Sequence, residues 1–320
     1  MNTTKEIPVF FSIDDAYAPY LSVALASAQK NCNKERSYKA IIMHESLSEE
    51  NKTKLKALES ENFKIDFMTM KNGLKAITDV KGNRLRCEHF TLTIYFRLFI
   101  AEMFPQYDKG IYVDSDILLL GDIGELFDTD IGDNLIGACY DHSIENVEPF
   151  CRYIREAVGL DDKGYINSGV LLLNLKKLRE VSFADKFLSL LSSYGFESVA
   201  PDQDYINAMC EGSIYYLDSI WDTMPNPQRP TDQNAKLIHY NLFSKPWCYD
   251  DVRYGEYFWE YAKLSGYEAA LREIRGKFTA EDVESEKRCL ANMISRACEI
   301  IDNDVTFRKV KEKGIRLRVC

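Results

Sequence analysis

The chain has 320 residues, 46% of them hydrophobic, and a formal net charge of −10. This length and apolar content predict one large or two small globular units, and the charge argues against general nucleic-acid binding, which needs a lysine and arginine footprint. No apolar stretch approaches the roughly 20 residues that cross a bilayer. The sequence therefore predicts a cytoplasmic protein, whose nine scattered cysteines are expected to be reduced thiols.

Strand-like and helical patterns alternate along the first two thirds of the chain. The strand-like runs lie at 7–13, 38–44, 63–69, 110–114, 135–141 and 165–175. Helical patterns lie between them at 20–31, 46–59 and near 91–103. Because helices between strands act as crossovers, this order predicts an α/β fold with a mostly parallel central sheet flanked by helices. Ligands bind beyond the carboxyl ends of such strands, where Asp14, Asp114 and Asp141 fall.

After about residue 250 the pattern becomes helical, with long amphipathic runs at 254–278 and 280–304 and a basic tail from Arg308. We expect a helical C-terminal extension over 251–320. The basic tail has two interpretations. It is either a solvated tail or a surface that contacts the anionic face of the inner membrane.

Two carboxylates interrupt an apolar run in "YVDSDILLL" (112–120). The chain has four such Asp-x-Asp pairs, at 114/116, 128/130, 202/204 and 302/304, but only the first lies between two buried-looking runs. Carboxylates two residues apart on a strand face the same way and repel unless a cation lies between them. A divalent metal bound through oxygen is one solution, and a pair of turn aspartates bonding backbone amides is the other.

A histidine and a lysine follow a later apolar run, in "LIHYNLFSKPW" (237–247). An imidazole beside two carboxylates suits manganese, and Lys245 is placed to act as a point charge on phosphates. The chain has no Walker loop and no GxGxxG motif, so a metal clamp is the remaining way to hold a diphosphate.

Six ordered motifs resemble the retaining glycosyltransferases of family 8. They are "FFSIDDAYAPYLSVALAS", "TIYFRL", "YVDSDILLLGDI", "GYINSGVLLLNLKKL", "PDQDYINA" and "IHYNLFSKPW". The resemblance runs from about residue 7 to about 250. It implies a GT-A type fold, with a catalytic domain over 1–250, a UDP-sugar donor and Mn²⁺ or Mg²⁺ as cofactor.

The resemblance also implies roles for individual residues. Metal ligands are expected at Asp114, Asp116 and His239. Residues that hold the sugar nucleotide are expected at Asp14 near the uracil, at Arg97, at Ser115, and at Lys245 on the diphosphate. Residues around the transferred sugar are expected at Asp141, Asn167, Ser168, Asp202 and Gln203, with Gln203 close to the anomeric carbon.

Each of these assignments has a structural alternative. Asp14 is also suited to cap the helix that follows it, and Asp202 to cap the helix "QDYINAMC". Arg97 could lie on a helix surface, and Asn167 could end a turn before Gly169.

Two positions depart from the family pattern. Ala16 stands where relatives often carry a polar residue, so we expect one base or ribose contact to be missing there. Leu242 stands where a glycine usually lets the backbone approach the diphosphate.

Together these features predict a metal-dependent retaining glycosyltransferase that moves galactose or glucose from a UDP-sugar to a glycan or glycolipid acceptor, in lipopolysaccharide or surface polysaccharide synthesis. No residue stands out as a covalent nucleophile, and Asp204 qualifies only if its side chain turns inward. We therefore expect front-face attack by the acceptor hydroxyl. Two alternatives remain open: a nucleotidyltransferase that uses a nucleoside triphosphate, and a non-catalytic sugar-nucleotide-binding protein.

Overall fold

The structure is a computed structural model that describes residues 6–70, 92–226 and 229–320. Its strands are β1 (Ile7–Ile13), β2 (Tyr38–His44), β3 (Phe63–Thr69), β4 (Gly110–Val113), β5 (Ile117–Leu119), β6 (Ile136–Tyr140), β7 (Ile166–Leu173), β8 (Ile214–Tyr216) and β9 (Leu237–His239). Its helices are α1 (Ala18–Asn31), α2 (Glu49–Lys56), α3 (Ile100–Met103), α4 (Ile123–Asp128), α5 (Glu148–Tyr153), α6 (Leu175–Glu180), α7 (Phe183–Tyr194), α8 (Pro201–Cys210), α9 (Gly255–Ala262), α10 (Glu268–Lys277), α11 (Ala280–Asp302) and α12 (Phe307–Glu312).

Seven strands form one central sheet in the order β3-β2-β1-β4-β7-β6-β8. The sheet is mostly parallel, as predicted. The exception is β7, which runs antiparallel to both β4 and β6. Apolar side chains cover both faces of the sheet. Strand β1 shows this: Val9 and Phe11 pack in the apolar cluster on one face, and Phe10 packs in the apolar cluster on the other. Burial on both faces explains why the inner strands β1 and β7 read as nearly continuous apolar runs.

A second, two-stranded sheet determines the position of the functional residues. In it β5 pairs antiparallel with β9, and Ile117 lies opposite His239. Tyr240 N donates to Asp116 O at 2.9 Å, and Asp114 N donates to Gly169 O at 2.8 Å on β7. These backbone contacts bring three distant segments to one point at the carboxyl end of β4.

The predicted strands β1, β2 and β3 are observed with the predicted bounds, whereas the helices differ. The helix predicted at 46–59 begins only after its cap, Ser48, whose side chain accepts from Asn51 N. The segment predicted as helical near 91–103 is mainly a 3-10 helix (Thr93–Phe99), followed by one α-helical turn. Residues 71–91 lie outside the described part.

The C-terminal helices pack against the α/β body. Phe258 and Leu271 belong to the same apolar cluster as β1, and Met293 and Ile300 of α11 pack with Phe150 of α5. A domain boundary at 250 remains a prediction. The interpretation of the tail from Arg308 as simply solvated is wrong in part: Val310 and Leu317 are buried against the second cluster, because the basic residues alternate with apolar ones.

The prediction that all cysteines are reduced is also wrong. Cys289 on α11 is disulfide-bonded, whereas seven others are free thiols: Cys32, Cys139, Cys151, Cys210, Cys248, Cys298 and Cys320. Sequence spacing could not reveal this bond, since a disulfide depends on which thiols the fold brings together. In the described ranges, no helix has the length and apolar character needed to span a membrane.

Candidate active site

One cavity of ≈ 420 Å³ gathers most of the predicted site residues. Those on its walls are Asp14, Arg97, Asp114, Ser115, Asp116, Asn167, Ser168, Asp202, Gln203 and Lys245. His239 lies behind them against the two aspartates, and Asp141 lies in an adjoining recess. The motifs that sequence analysis selected therefore meet in one place.

Three residues form a group with the chemistry of a metal site. One ligand atom each from Asp114, Asp116 and His239 lies within 4.8 Å of the others. His239 Nε2 is 3.4 Å from Asp116 Oδ1 and 3.9 Å from Asp114 Oδ2. Two carboxylates and an imidazole suit manganese or a similar divalent ion, so these residues fit the cofactor that the family pattern implies.

The electrostatics around this group favour a positive charge. Although burial alone would raise the pKa of Asp116, Lys245 and His239 hold that pKa well below its usual range. Lys245 Nζ is 2.5 Å from Asp116 Oδ2 and also donates to the carbonyl of Tyr240. Burial lowers the pKa of His239, but Asp222 and Asp116 outweigh it and raise the pKa to about 10. The carboxylates therefore favour either a protonated imidazole or a bound cation.

Gly169 explains the glycine of the "NSG" motif on β7. A Cβ at this position would lie 2.3 Å from His239 Cε1 and 2.8 Å from Asp114 Oδ2. Only a residue without a side chain lets the imidazole approach the strand this closely. The motif therefore serves the metal-ligating group as well as the strand.

Asp222 is a site residue that sequence reasoning missed. It is completely buried, and its Oδ1 lies 2.9 Å from His239 Nδ1. A carboxylate on the second nitrogen selects the tautomer that leaves Nε2 free for a metal. The sequence does not distinguish Asp222 from nearby Asp218, which is an ordinary helix cap whose side chain accepts from Ile220 N.

Removal of the Asp222 carboxylate should weaken metal binding. We expect Asp222→Ala to lower Mn²⁺ affinity by about 10- to 100-fold, because the imidazole loses its orienting partner. The measurement is titration of the metal-free protein with Mn²⁺, followed by electron paramagnetic resonance of free Mn²⁺. Asp218→Ala is the matched control and should leave the affinity unchanged. Equal affinities for Asp222→Ala and the unmodified protein would contradict the assignment.

The alternative that Arg97 lies on a helix surface is wrong, because its side chain is buried and contacts several residues of the cavity. Its Nη2 donates to Asp114 Oδ1 at 2.8 Å, its Nη1 donates to Ser168 O at 2.7 Å, and its Nε lies 3.2 Å from Asp202 Oδ2. The guanidinium also lies over the ring of Tyr112, with Cζ 4.3 Å from the ring centroid. Arg97 therefore neutralises the buried Asp202 and the half-buried Asp114, and joins the metal-ligating end of the cavity to the end at α8.

The residues predicted around the sugar form a connected network. Ser168 N donates to Gln203 Oε1 at 3.0 Å, and Ser168 Oγ donates to Asp202 Oδ2 at 3.0 Å. Gln203 Nε2 donates to Asp141 Oδ2 at 2.8 Å, and Asn167 Nδ2 reaches the same oxygen at 3.3 Å. The capping alternative for Asp202 is wrong, because α8 has no side-chain cap hydrogen bond.

Asp204 does not face the cavity and is not available as a nucleophile. Its two carboxylate oxygens accept from Tyr165 and Tyr153 at 2.5 Å each, and the Ser198 hydroxyl also donates to it. Burial raises the pKa of Asp204 above its usual value. The group is fully committed to joining α8 to α5 and to the start of β7.

Asp14 and Leu242 each serve the local backbone and line the cavity as well. Asp14 Oδ1 accepts from Tyr17 N at 3.1 Å, so it does act as a cap. Leu242 has φ = 61°, the left-handed conformation that favours glycine, although it is not a glycine. Its side chain packs on the apolar cluster of α5 and α11, which offsets the strain. The departure from the family pattern therefore keeps the glycine-like backbone but adds a side chain to the cavity wall.

Comparison with known proteins places the chain in a family. The family model described as "Glycosyl transferase family 8" matches residues 8–251. A Haemophilus influenzae protein is 28% identical over 223 residues, covering 69% of this chain and 64% of that protein. The lipopolysaccharide 1,2-glucosyltransferase of Escherichia coli K12 is 26% identical over 276 residues, covering 79% of this chain and 78% of that protein.

A solved structure agrees with these matches. The galactosyltransferase LgtC, in complex with donor and acceptor sugar analogues, is 27% identical and superposes with a TM-score of 0.66, covering 81% of this chain and 96% of that one. The sheet and its acid-imidazole site thus define a GT-A type fold, as predicted. The chain belongs to glycosyltransferase family 8. It spans slightly less than two thirds of the Haemophilus protein, 64% of its length.

Proposed function

We propose that the protein is a metal-dependent retaining glycosyltransferase that moves a hexose, galactose or glucose, from a UDP-sugar to a glycan or glycolipid acceptor in lipopolysaccharide or surface polysaccharide synthesis. The observation that carries the proposal is the convergence of Asp114, Asp116 and His239 in one group, with Lys245 bonded to Asp116. The proposal requires the imidazole and the two acids to lie close together, and a separation of ten ångströms or more would have contradicted it. His239 Nε2 lies 3.4 Å from Asp116 Oδ1.

The diphosphate end of the cavity supplies electrostatic stabilisation. Asp114, Asp116 and His239 would hold a divalent ion, which supplies Lewis-acid stabilisation of the charge on departing UDP. Lys245 supplies a second positive charge at the same end, once it exchanges its Asp116 contact for a phosphate oxygen. Fixed charges aimed at a developing anion are often the largest catalytic contribution.

The opposite end of the cavity orients the transferred sugar. In this proposal Asp202 and Asn167 bind sugar hydroxyls, and Gln203 lies beside the anomeric carbon, where its amide is fixed by Ser168 N and the Asp141 carboxylate. A primary amide in this position is a poor nucleophile. With Asp204 turned away, the acceptor hydroxyl attacks from the face that UDP leaves, its proton passes to the departing phosphate oxygen, and the α configuration is retained.

The first experiment is UDP release from a panel of sugar nucleotides. We expect hydrolysis of UDP-galactose or UDP-glucose with Mn²⁺ or Mg²⁺, and its loss on treatment with EDTA, because the acids alone repel a diphosphate. Restored release on adding Mn²⁺ back is the control for irreversible damage. Pyrophosphate from a nucleoside triphosphate would favour a nucleotidyltransferase instead. Binding of UDP-sugars by folded protein, without turnover of any, would favour a non-catalytic binding protein.

A peripheral membrane contact is also part of the proposal. The C-terminal segment exposes Lys313, Arg316 and Arg318 around a half-exposed Ile315. Each basic side chain contributes about 1 kcal/mol near anionic lipid. We expect co-flotation with vesicles containing phosphatidylglycerol, reduced by the double substitution Arg316→Glu with Arg318→Glu and unchanged by Arg272→Glu, a control on an exposed face of α10. Equal flotation of both variants would contradict a role for the tail.

A further inference from the structure

The turn that follows β1 forms the nucleoside end of the proposed site. Asp14 and Tyr17 both line the main cavity. They belong to one turn of 3-10 helix (Asp15–Tyr17), for which Asp14 provides the cap. So short an element forms few backbone hydrogen bonds of its own, and their geometry is poorer than in an α-helix. Its position therefore depends on contacts with other parts of the chain.

The side chain of Asp15 joins this turn to the start of α2. Its Oδ1 accepts from Ser48 N at 2.8 Å and from Asn51 Nδ2 at 2.9 Å. Asn51 Nδ2 also lies 3.2 Å from the backbone carbonyl oxygen of Asp15. The Ser48 N–H, together with the Asn51 amide, holds the pKa of Asp15 below its ordinary value. The carboxylate is therefore ionised at neutral pH and acts only as an acceptor.

The C-terminal helices reach the same turn through Asn51. Tyr267, the residue before α10, donates from its hydroxyl to Asn51 Oδ1 at 2.7 Å. The ring of Tyr267 is buried in the same apolar cluster as β1. Burial raises the pKa of Tyr267 to about 12, so the hydroxyl keeps its proton at neutral pH. Both ends of the Asn51 amide are thus engaged, one with Tyr267 and the other with Asp15.

We propose that Asn51 and Tyr267 are positioning residues for donor binding, which act through Asp15 on the turn that it begins. This turn presents Asp14 and Tyr17 to the nucleoside of the donor. The inference rests on the proposed function, in which the cavity holds a UDP-sugar with Asp14 near its base. The two positioning residues are not among those on the cavity wall, so they act on the geometry of the turn. The metal-ligating group lies at β4, β5 and β9 and does not depend on this chain of contacts.

The test is titration with UDP at saturating Mn²⁺. Asn51→Leu keeps the approximate size of the side chain but removes its hydrogen bonds, whereas Tyr267→Phe keeps the ring and removes only the hydroxyl. We expect UDP affinity to fall about tenfold in Asn51→Leu and about threefold in Tyr267→Phe, the range that one or two hydrogen bonds give. The KM for the UDP-sugar should rise in the same proportion, while kcat and the affinity for Mn²⁺ alone stay unchanged.

Tyr107→Phe is the matched control for lost stability. Tyr107 donates from its hydroxyl to Glu6 Oε1 at 2.8 Å, before β1 and so at the opposite edge of the sheet. This variant should keep full UDP affinity. The double variant of Asn51→Leu with Tyr267→Phe should bind UDP no more weakly than Asn51→Leu alone, because both changes interrupt one chain of contacts. Additive losses in the double variant, or unchanged UDP affinity in Asn51→Leu, would overturn the proposal.

Two further measurements decide the remaining cases. If Asn51→Leu does not fold, Tyr267→Phe decides, and unchanged UDP affinity in that variant refutes the proposal. If the unmodified protein does not bind UDP, the proposed function fails, and hydrogen–deuterium exchange then tests the positioning role by itself. The amide of Tyr17, which donates to Asp14 Oδ1 at 3.1 Å, should exchange faster in Asn51→Leu than in Tyr107→Phe. Equal exchange rates in these two variants would show that Asn51 does not hold the turn.

Discussion

The substitution Asp116→Asn should reduce UDP release from the preferred sugar nucleotide by at least about 10³-fold. Asp116 contacts two basic side chains of the site. Its Oδ2 lies 2.5 Å from Lys245 Nζ, and its Oδ1 lies 3.4 Å from His239 Nε2. Asparagine keeps the shape of the side chain but removes an anionic ligand. We therefore expect the metal-dependent part of UDP affinity to disappear as well.

The fold should survive this change. The amide is isosteric with the carboxylate and can still accept from Lys245, so the metal-free protein should remain folded, although Lys245 loses its counter-charge and the melting temperature should fall further than in a surface variant. The control is Asp128→Asn, which alters the first aspartate of another Asp-x-Asp pair. Asp128 lies at the surface in a bidentate contact with Arg36, at 2.7 and 2.8 Å. Normal turnover of Asp116→Asn, or equal losses for both variants, would show that the metal site is misplaced.

The substitution Arg97→Met should destabilise the protein by about 3–5 kcal/mol. The reason is that it leaves the buried Asp202 carboxylate without its counter-charge, and an uncompensated buried charge costs about this much; Asp114, whose side chain is 28% exposed, contributes less. The side chain of Arg97 is only 5% exposed and that of Asp202 is 6% exposed. The measurement is the free energy of unfolding by denaturant titration.

Arg36→Met is the matched control, because it breaks an arginine-aspartate pair whose side chains are 27% and 61% exposed. A surface pair contributes at most about 1 kcal/mol. Arg97→Lys should lie between the two variants, since a single ammonium cannot reach Asp114, Asp202 and Ser168 together. If Arg97→Met and Arg36→Met cost the same free energy, Arg97 does not hold the two halves of the cavity together.

Much of the architecture was predictable from local patterns. Strand β1 is a nearly continuous apolar run, as expected of a strand buried on both faces, whereas β3 at the edge of the sheet alternates buried and exposed residues, which also predicts a strand. Asp114 follows β4 directly, so its position at the carboxyl end of the sheet followed from the strand prediction. Local hydrophobicity and hydrogen-bonding preference, which depend on neighbours in sequence, are sufficient for both predictions.

Local preference also misled at specific places. The sequence suggests Asp202 as a helix cap, but α8 begins one residue earlier, at Pro201, and the Asp202 carboxylate binds Ser168 and Arg97 because burial demands a partner for its charge. The segment around Arg97 has helical periodicity, but it forms a 3-10 helix that turns the guanidinium inward toward Asp114. In each case a contact with a distant residue outweighed the preference of the segment itself.

The composition of the site was decided only by tertiary structure. Asp116 and Lys245 are 129 residues apart in the chain and meet because β9 pairs with β5. Asp222 joins them as a buried partner of His239, and Met293 from α11 closes the recess beside Gln203, although no local motif marks either residue. Sequence patterns reveal which segments are strands and which side chains carry suitable chemistry. Which of those side chains meet in one site depends on strand pairing and burial, and these are properties of the whole folded chain.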